Sequence, residues 1–360
     1  MNIRKIILIF HLVGGLISAL FLIALGLTGS ALVFEGEIDH WLNGSRVWVQ
    51  PQGDPRPLSE LCAEVERQHP GSRVDAVMPS ESAKVAYKMH LRPTGAGKGF
   101  MIALDQYTGR ELGSLDGANT FMSKVHQFHT NLLLGPRGKL ITAAGAMFLF
   151  ALSISGLVLW WPRKLWKWSA LRKRTAGSFE LHNVVGFYAS IFMVIFAVTG
   201  LVIHWDTELK SFINRKSGAP ETPSIAKVAP IRGTARMDAG GLLDAAQRAV
   251  PGARVTSIQG IGGNGAVRIT MKYPEDGTPA GRTNLFLDPV TGEVLSCETS
   301  RTAPLGVKIA KLWNREIHTG DLRGLPTRIF ACIASSTLPL LAITGPLIWW
   351  NRWRRKRSVI

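Results

Sequence analysis

The chain has 360 residues, 46% of them apolar and only 19% charged, a balance too greasy for two or three purely water-soluble domains. Its formal charge of +17 would suggest a nucleic-acid partner if the basic side chains were spread over a soluble surface. Instead they gather beside long apolar runs, which argues for a protein of the lipid bilayer with no nucleic-acid partner.

The first run, Ile6 to Phe34, holds 29 residues without a charge, where about 20 suffice to cross a bilayer. It follows Arg4 and Lys5, exceeds the apolar part of a signal peptide and lacks a small-x-small cleavage site, so 1–34 is expected to remain as transmembrane helix 1. Residues 35–139 read as an outside lobe closed by an interfacial helix. That lobe contains a helix stopped at Pro70-Gly71, short alternating strands such as Val85 to Leu91, and a turn at Asp105, Thr108 and Gly109. The second span is expected at 140–161. It leads into a basic loop, 162–180, with Arg163, Lys164, Lys167, Arg172, Lys173 and Arg174.

The third span is expected at 181–205. A second lobe with its own interfacial helix occupies 206–328, with a helix before Pro251-Gly252, a strand at Ala266 to Met271 and a turn at Asp288, Thr291 and Gly292. The fourth span, 329–350, precedes a basic tail, 351–360. By the positive-inside rule both termini and the basic loop face the cytoplasm, and the two lobes lie outside. Tryptophans at 160–161, 205 and 349–350 mark the expected span ends.

The sequence also aligns with itself. At an offset of 171, His11, Gly15 and Thr28-Gly29 fall on His182, Gly186 and Thr199-Gly200; at an offset of 189, His129-Thr130, Gly156 and Trp160-Trp161 fall on His318-Thr319, Gly345 and Trp349-Trp350. The stretch Leu61 to Val74 likewise matches Leu242 to Val255. The fold class expected is therefore a bundle of four transmembrane helices with two small α+β lobes, built as a tandem repeat of helix, lobe, helix.

The segments FLDPVTGEVL (286–295) and ALDQYTGREL (103–112), with the helices ending in Pro-Gly, resemble PepSY domains. The spans flanked by HTNLLLG (129–135) and HTGDLRG (318–324) resemble the PepSY-associated transmembrane family, over nearly the whole chain. Members of that family include ferric-siderophore reductases of the bacterial inner membrane that carry haem b. The resemblance implies the same membrane and outward, periplasmic lobes. It also implies two haems, a ferric-siderophore substrate, and electrons from a cytoplasmic reductase or the quinol pool.

Histidine in hydrocarbon is costly and suggests function, and the repeat selects four: His11, His182, His129 and His318. His11 and His182 sit near the cytoplasmic starts of spans one and three; His129 and His318 sit on the outer side, each followed by Gly and then Pro136 or Pro326. Two axial imidazole pairs make six-coordinate, electron-transferring haem centres. Gly15 and Gly186 would let a flat macrocycle approach the backbone, and Arg137 and Arg328, with Lys139, Arg315 and Arg323, could meet propionates or an acidic iron chelate. His204, near the outer end of span three, is a further candidate ligand, and His126 a weaker one. From His182 to His204 is about 33 Å of helix, a long gap for direct electron transfer.

Two other functions fit parts of the pattern: an anchored, non-redox PepSY module that binds a periplasmic peptide or peptidase, and a small-solute transporter. The transporter reading lacks an acidic residue within the four runs. Zinc and covalent haem lack their His-Glu-x-x-His, Cys-x-x-Cys and Cys-x-x-Cys-His spacings. Cys62 and Cys297 share an oxidising side and are weighed as a disulfide.

Overall fold

A computed structural model describes residues 2–115, 120–161, 177–217, 235–263 and 265–357. The basic loop expected at 162–180 lies outside the described residues as far as 176. The first half of the chain forms α1 (Ile3–Leu32), α2 (Glu35–Leu42), α3 (Gly44–Val47), α4 (Leu58–Gln68), β1 (Ser72–Met78), β2 (Tyr87–Pro93), β3 (Phe100–Leu104), β4 (Glu111–Leu115), α5 (Phe121–Asn131) and α6 (Gly135–Trp160). The second half forms α7 (Gly177–His204), α8 (Asp206–Ser217), α9 (Ala239–Ala249), β5 (Arg254–Gln259), β6 (Val267–Lys272), β7 (Thr283–Leu287), β8 (Val294–Glu298), α10 (Leu305–Val307), α11 (Asn314–Thr319) and α12 (Leu325–Arg357). These elements divide into two compact units, one of long helices and one built on a sheet.

In the helical unit α1, α6, α7 and α12 are long and apolar enough to cross a membrane. Their outward faces are apolar too: Ile17 and Leu20 are 75% and 81% exposed, as side chains solvated by lipid rather than water would be. The inward stripe of α1 is Gly14, Ser18, Leu22 and Gly26, spaced four apart. Small residues there let backbones approach where lipid removes any hydrophobic drive for association. At Gly26 an added Cβ would stand 2.5 Å from Cδ of Pro339, so the kink-prone proline of α12 lies in a notch of α1.

The corner between α5 and α6 is tight. Leu132 and Leu133 adopt left-handed φ values of 54° and 60°, and Pro136 opens α6, where its missing N–H costs nothing. Gly138 sits so close beneath this turn that a Cβ would overlap the Asn131 carbonyl oxygen.

In the other unit all eight strands form one antiparallel sheet in the order β4-β3-β2-β1-β5-β6-β7-β8. The two lobes expected from the sequence thus share a sheet. They join at β1 and β5 through the pairs Ala76 with Gln259 and Val77 with Ile258. Each half carries the same irregularities, a bulge at Val74/Ala76 matched by one at Val255/Ser257. One apolar core gathers Leu61 and Val65 of α4, Leu242 and Ala246 of α9, and Met89, Ile102, Ile258, Ile269 and Leu285 from the strands. Both Asp-x-x-Thr-Gly turns are structural: Asp105 Oδ1 accepts from the Tyr107 N–H, Asp288 Oδ1 accepts from the Val290 N–H, and Gly109 and Gly292 take positive φ. Cys62, on α4, and Cys297, on the edge strand β8, are both free thiols, so the disulfide weighed from sequence is not formed.

Candidate functional site

All four repeat-selected histidines lie in the helical unit, and each leans on a hydroxyl of a neighbouring helix. Nδ1 of His11 is 2.9 Å from Oγ of Ser155 on α6, and Nδ1 of His182 is 2.9 Å from Oγ1 of Thr344 on α12. Nδ1 of His129, on α5, is 2.9 Å from Oγ1 of Thr28 on α1, and Nδ1 of His318, on α11, is 2.8 Å from Oγ1 of Thr199 on α7. With Nδ1 engaged in every case, Nε2 is the nitrogen left to act.

Each hydroxyl precedes a glycine that faces the same imidazole. A Cβ on Gly156, Gly345, Gly29 or Gly200 would lie 3.2 to 3.5 Å from Cε1 of the respective ring. A Cβ at Gly156, Gly29 or Gly200 would press the ring by a few tenths of an ångström, and one at Gly345 would rest in van der Waals contact with it. The hydroxyl and its histidine always belong to the same half of the chain.

Pairing, by contrast, joins the halves. The His11 and His182 ring centres are 6.3 Å apart, with planes at 84°. A metal–imidazole bond of about 2 Å and about 1.1 Å from nitrogen to ring centre, each taken twice, would place two axial imidazoles about 6.2 Å apart. The edge-on pair has a centre-to-centre separation compatible with that figure, and a Cβ on Gly15, one turn along from His11, would meet nothing of a neighbouring element within 4 Å. Burial first, then a neighbouring histidine, holds His129 and His318 below the ordinary imidazole value, so both are neutral at pH 7, the form that ligates metals. Among the described residues no group of three or more His, Cys, Asp or Glu side chains converges.

The remaining candidates are placed differently. His204 ends α7 and packs edge-on against Trp205, with ring centres 4.6 Å apart. His126 faces the Glu35 carboxylate at 3.3 Å. Arg328 donates to the Val33 carbonyl oxygen at 2.6 Å and lies over the Phe34 ring, so it braces α1 against α12. Arg137 is exposed at the start of α6, and Gly186 stands against Leu341, with 3.6 Å from a would-be Cβ to Cδ2.

Sequence reasoning did not assign roles to Ser155, Thr344, Thr28 and Thr199. The signal was present: both self-alignments bring a Ser/Thr-Gly pair of one half onto that of the other, Thr28-Gly29 onto Thr199-Gly200 and Ser155-Gly156 onto Thr344-Gly345. What a linear comparison lacks is the crossing of helices that sets each hydroxyl against a histidine over a hundred residues away in sequence.

The chain was compared with known proteins. The family described as the PepSY-associated TM region matches residues 8–352. No curated protein matches the chain.

Proposed function

The chain belongs to the PepSY-associated TM region family, and on that premise we propose that it is a bacterial inner-membrane electron-transfer protein that reduces a ferric siderophore on the periplasmic side. His11 with His182, and His129 with His318, would each hold one haem b. The observation that carries this reading is the 6.3 Å separation of the His11 and His182 ring centres, brought together from two halves of the chain.

Haem b at each pair supplies a one-electron carrier whose iron alternates between ferric and ferrous states. The protein's part is to hold Nε2 of each imidazole in place and keep water out. Between the two levels lie Leu22, Leu152, Met193 and Leu338 of an apolar core. Seventeen residues separate His11 from Thr28 on α1 and His182 from Thr199 on α7, about 25 Å of helix. Phe196 lies edge-on to His318 at 5.9 Å and extends from that level toward the core.

Arg4 and Lys5 at the start of α1 and Arg352, Arg354 and Arg355 at the end of α12 favour cytoplasmic termini, which leaves the sheet unit in the periplasm. The mirrored strand order and matched bulges favour an internal repeat. A siderophore suits the chemistry because reducing ferric iron weakens its hold in a hard oxygen-donor chelate.

The test is an absorption spectrum of the detergent-purified protein, made in haem-replete cells. A Soret band with sharp reduced α and β bands, diminished in His182→Ala and in His318→Ala, is expected. Reoxidation of the reduced protein by a ferric hydroxamate would assign the acceptor. A colourless protein would overturn the redox reading and favour a PepSY module that anchors a peptide-binding sheet.

A further inference from the structure

We infer that Ser155, Thr344, Thr28 and Thr199 are positioning residues that lock each axial imidazole in one tautomer and thereby set the reduction potential of the centre it serves. The inference rests on the haem reading above.

Proton bookkeeping carries the first half. A hydroxyl has one hydrogen and two lone pairs. Thr28 Oγ1 lies 2.8 Å from the Ala24 carbonyl oxygen, Thr199 Oγ1 2.6 Å from that of Ile195, and Thr344 Oγ1 2.8 Å from that of Leu340. Ser155 Oγ lies 3.1 Å from the carbonyl oxygen of Leu152. A carbonyl only accepts, so each hydroxyl hydrogen is committed to its own helix backbone. What the hydroxyl offers the imidazole at 2.8 to 2.9 Å is therefore a lone pair. Nδ1 must carry the hydrogen and donate it, and Nε2 is left with the lone pair that binds a metal. The same assignment holds at all four sites without appeal to the metal.

Electronic and steric consequences follow. Donation from Nδ1–H raises the basicity of Nε2, which favours ferric over ferrous iron, as partners of ligating histidines do generally. A neutral hydroxyl does this more gently than a carboxylate, so the centre is not driven to a very low potential. The adjoining glycine leaves room at Cε1, the carbon beside Nε2, where a Cβ would stand 3.2 to 3.5 Å away. The hydrogen bond orients the imidazole, and the glycine accommodates it.

Because each hydroxyl serves one histidine, the effects should be local. Thr199→Val, which keeps the shape and removes the hydroxyl, is expected to raise the midpoint potential of one of the two haem transitions and leave the other in place. Thr344→Val should do the reverse. A tenfold loss of preference for ferric iron reads as about 59 mV upward in a one-electron titration, and loss of an outer-shell partner typically weakens binding about tenfold to a hundredfold, visible as haem content per chain. Thr199→Ser should restore the parent potential. Gly200→Ala keeps the hydroxyl but crowds the ring, and should disturb the same transition as Thr199→Val, which keeps the test open should the valine variant not fold. Unchanged potentials and haem content in the valine and alanine variants, or a serine variant shifted as far as valine, would overturn the inference while the haem reading stands. A colourless parent protein would overturn both.

Discussion

Histidine is used in two ways in this molecule, and the contrast between the helical and sheet units shows what decides its role. In the sheet unit His69 Nε2 meets Glu111 Oε2 at 2.8 Å, and His90 Nδ1 lies 3.6 Å from Asp75 Oδ2. A partly exposed pair of that kind is a modest surface contact. In the helical unit four imidazoles meet neutral hydroxyls through Nδ1, which leaves Nε2 of each to spare. The α5 helix holds both kinds one turn apart, His126 facing Glu35 and His129 facing Thr28. The partner's charge, more than the local sequence, separates a potential ligand from an ion pair.

The sharpest way to break this contrast is to exchange the consequences of the two kinds of histidine. His182→Ala should remove one redox transition and about half the Soret absorbance, while His69→Ala and His90→Ala should leave the spectrum intact and cost at most about 1 kcal/mol in stability. A spectrum that changes with His90→Ala would undo the division. Burial is the next test. Leu61→Ala in the shared core should cost about 2–5 kcal/mol in thermal unfolding of the detergent-solubilised protein, because Leu61 is fully buried, whereas Leu20→Ala on the lipid face should change little. Gly26→Ala sets a methyl against Pro339 and should cost about 1–3 kcal/mol by forcing α1 and α12 apart. The smallest effect concerns thiols. Burial first, and then the carboxylates of Glu66 and Asp238, push the Cys62 thiol up to about 12. At pH 8 it stays protonated, so iodoacetamide should label the exposed Cys297 well ahead of Cys62.

The four spans were legible in the sequence because length and lack of charge are one-dimensional signals, and α1 and α7 fall close to the apolar runs that announced them. The helices before Pro70-Gly71 and Pro251-Gly252, and the two Asp-x-x-Thr-Gly turns, could be read from local chemistry. The pairing of β1 with β5 could not, since a main-chain register that sets Val77 opposite Ile258 leaves no mark on side-chain pattern. At the candidate site the histidines stood out because their cost in hydrocarbon makes each one notable. Thr28, Thr199, Ser155 and Thr344 did not, because hydroxyls bonded to their own helix are ordinary in apolar spans. Arg328 looked free for an anion in sequence, and the fold commits it to the Val33 carbonyl oxygen.

The seam in the middle of the sheet has a further consequence. A half-length chain ending after α6 would present β1 as an open edge, with unpaired main-chain groups ready to recruit another strand. A second copy of that half could close it by antiparallel pairing. The gene that encodes both halves in one reading frame therefore replaces an encounter between separate polypeptides with a tether, and the two halves, split between α6 and α7 and produced together, should reassemble without it.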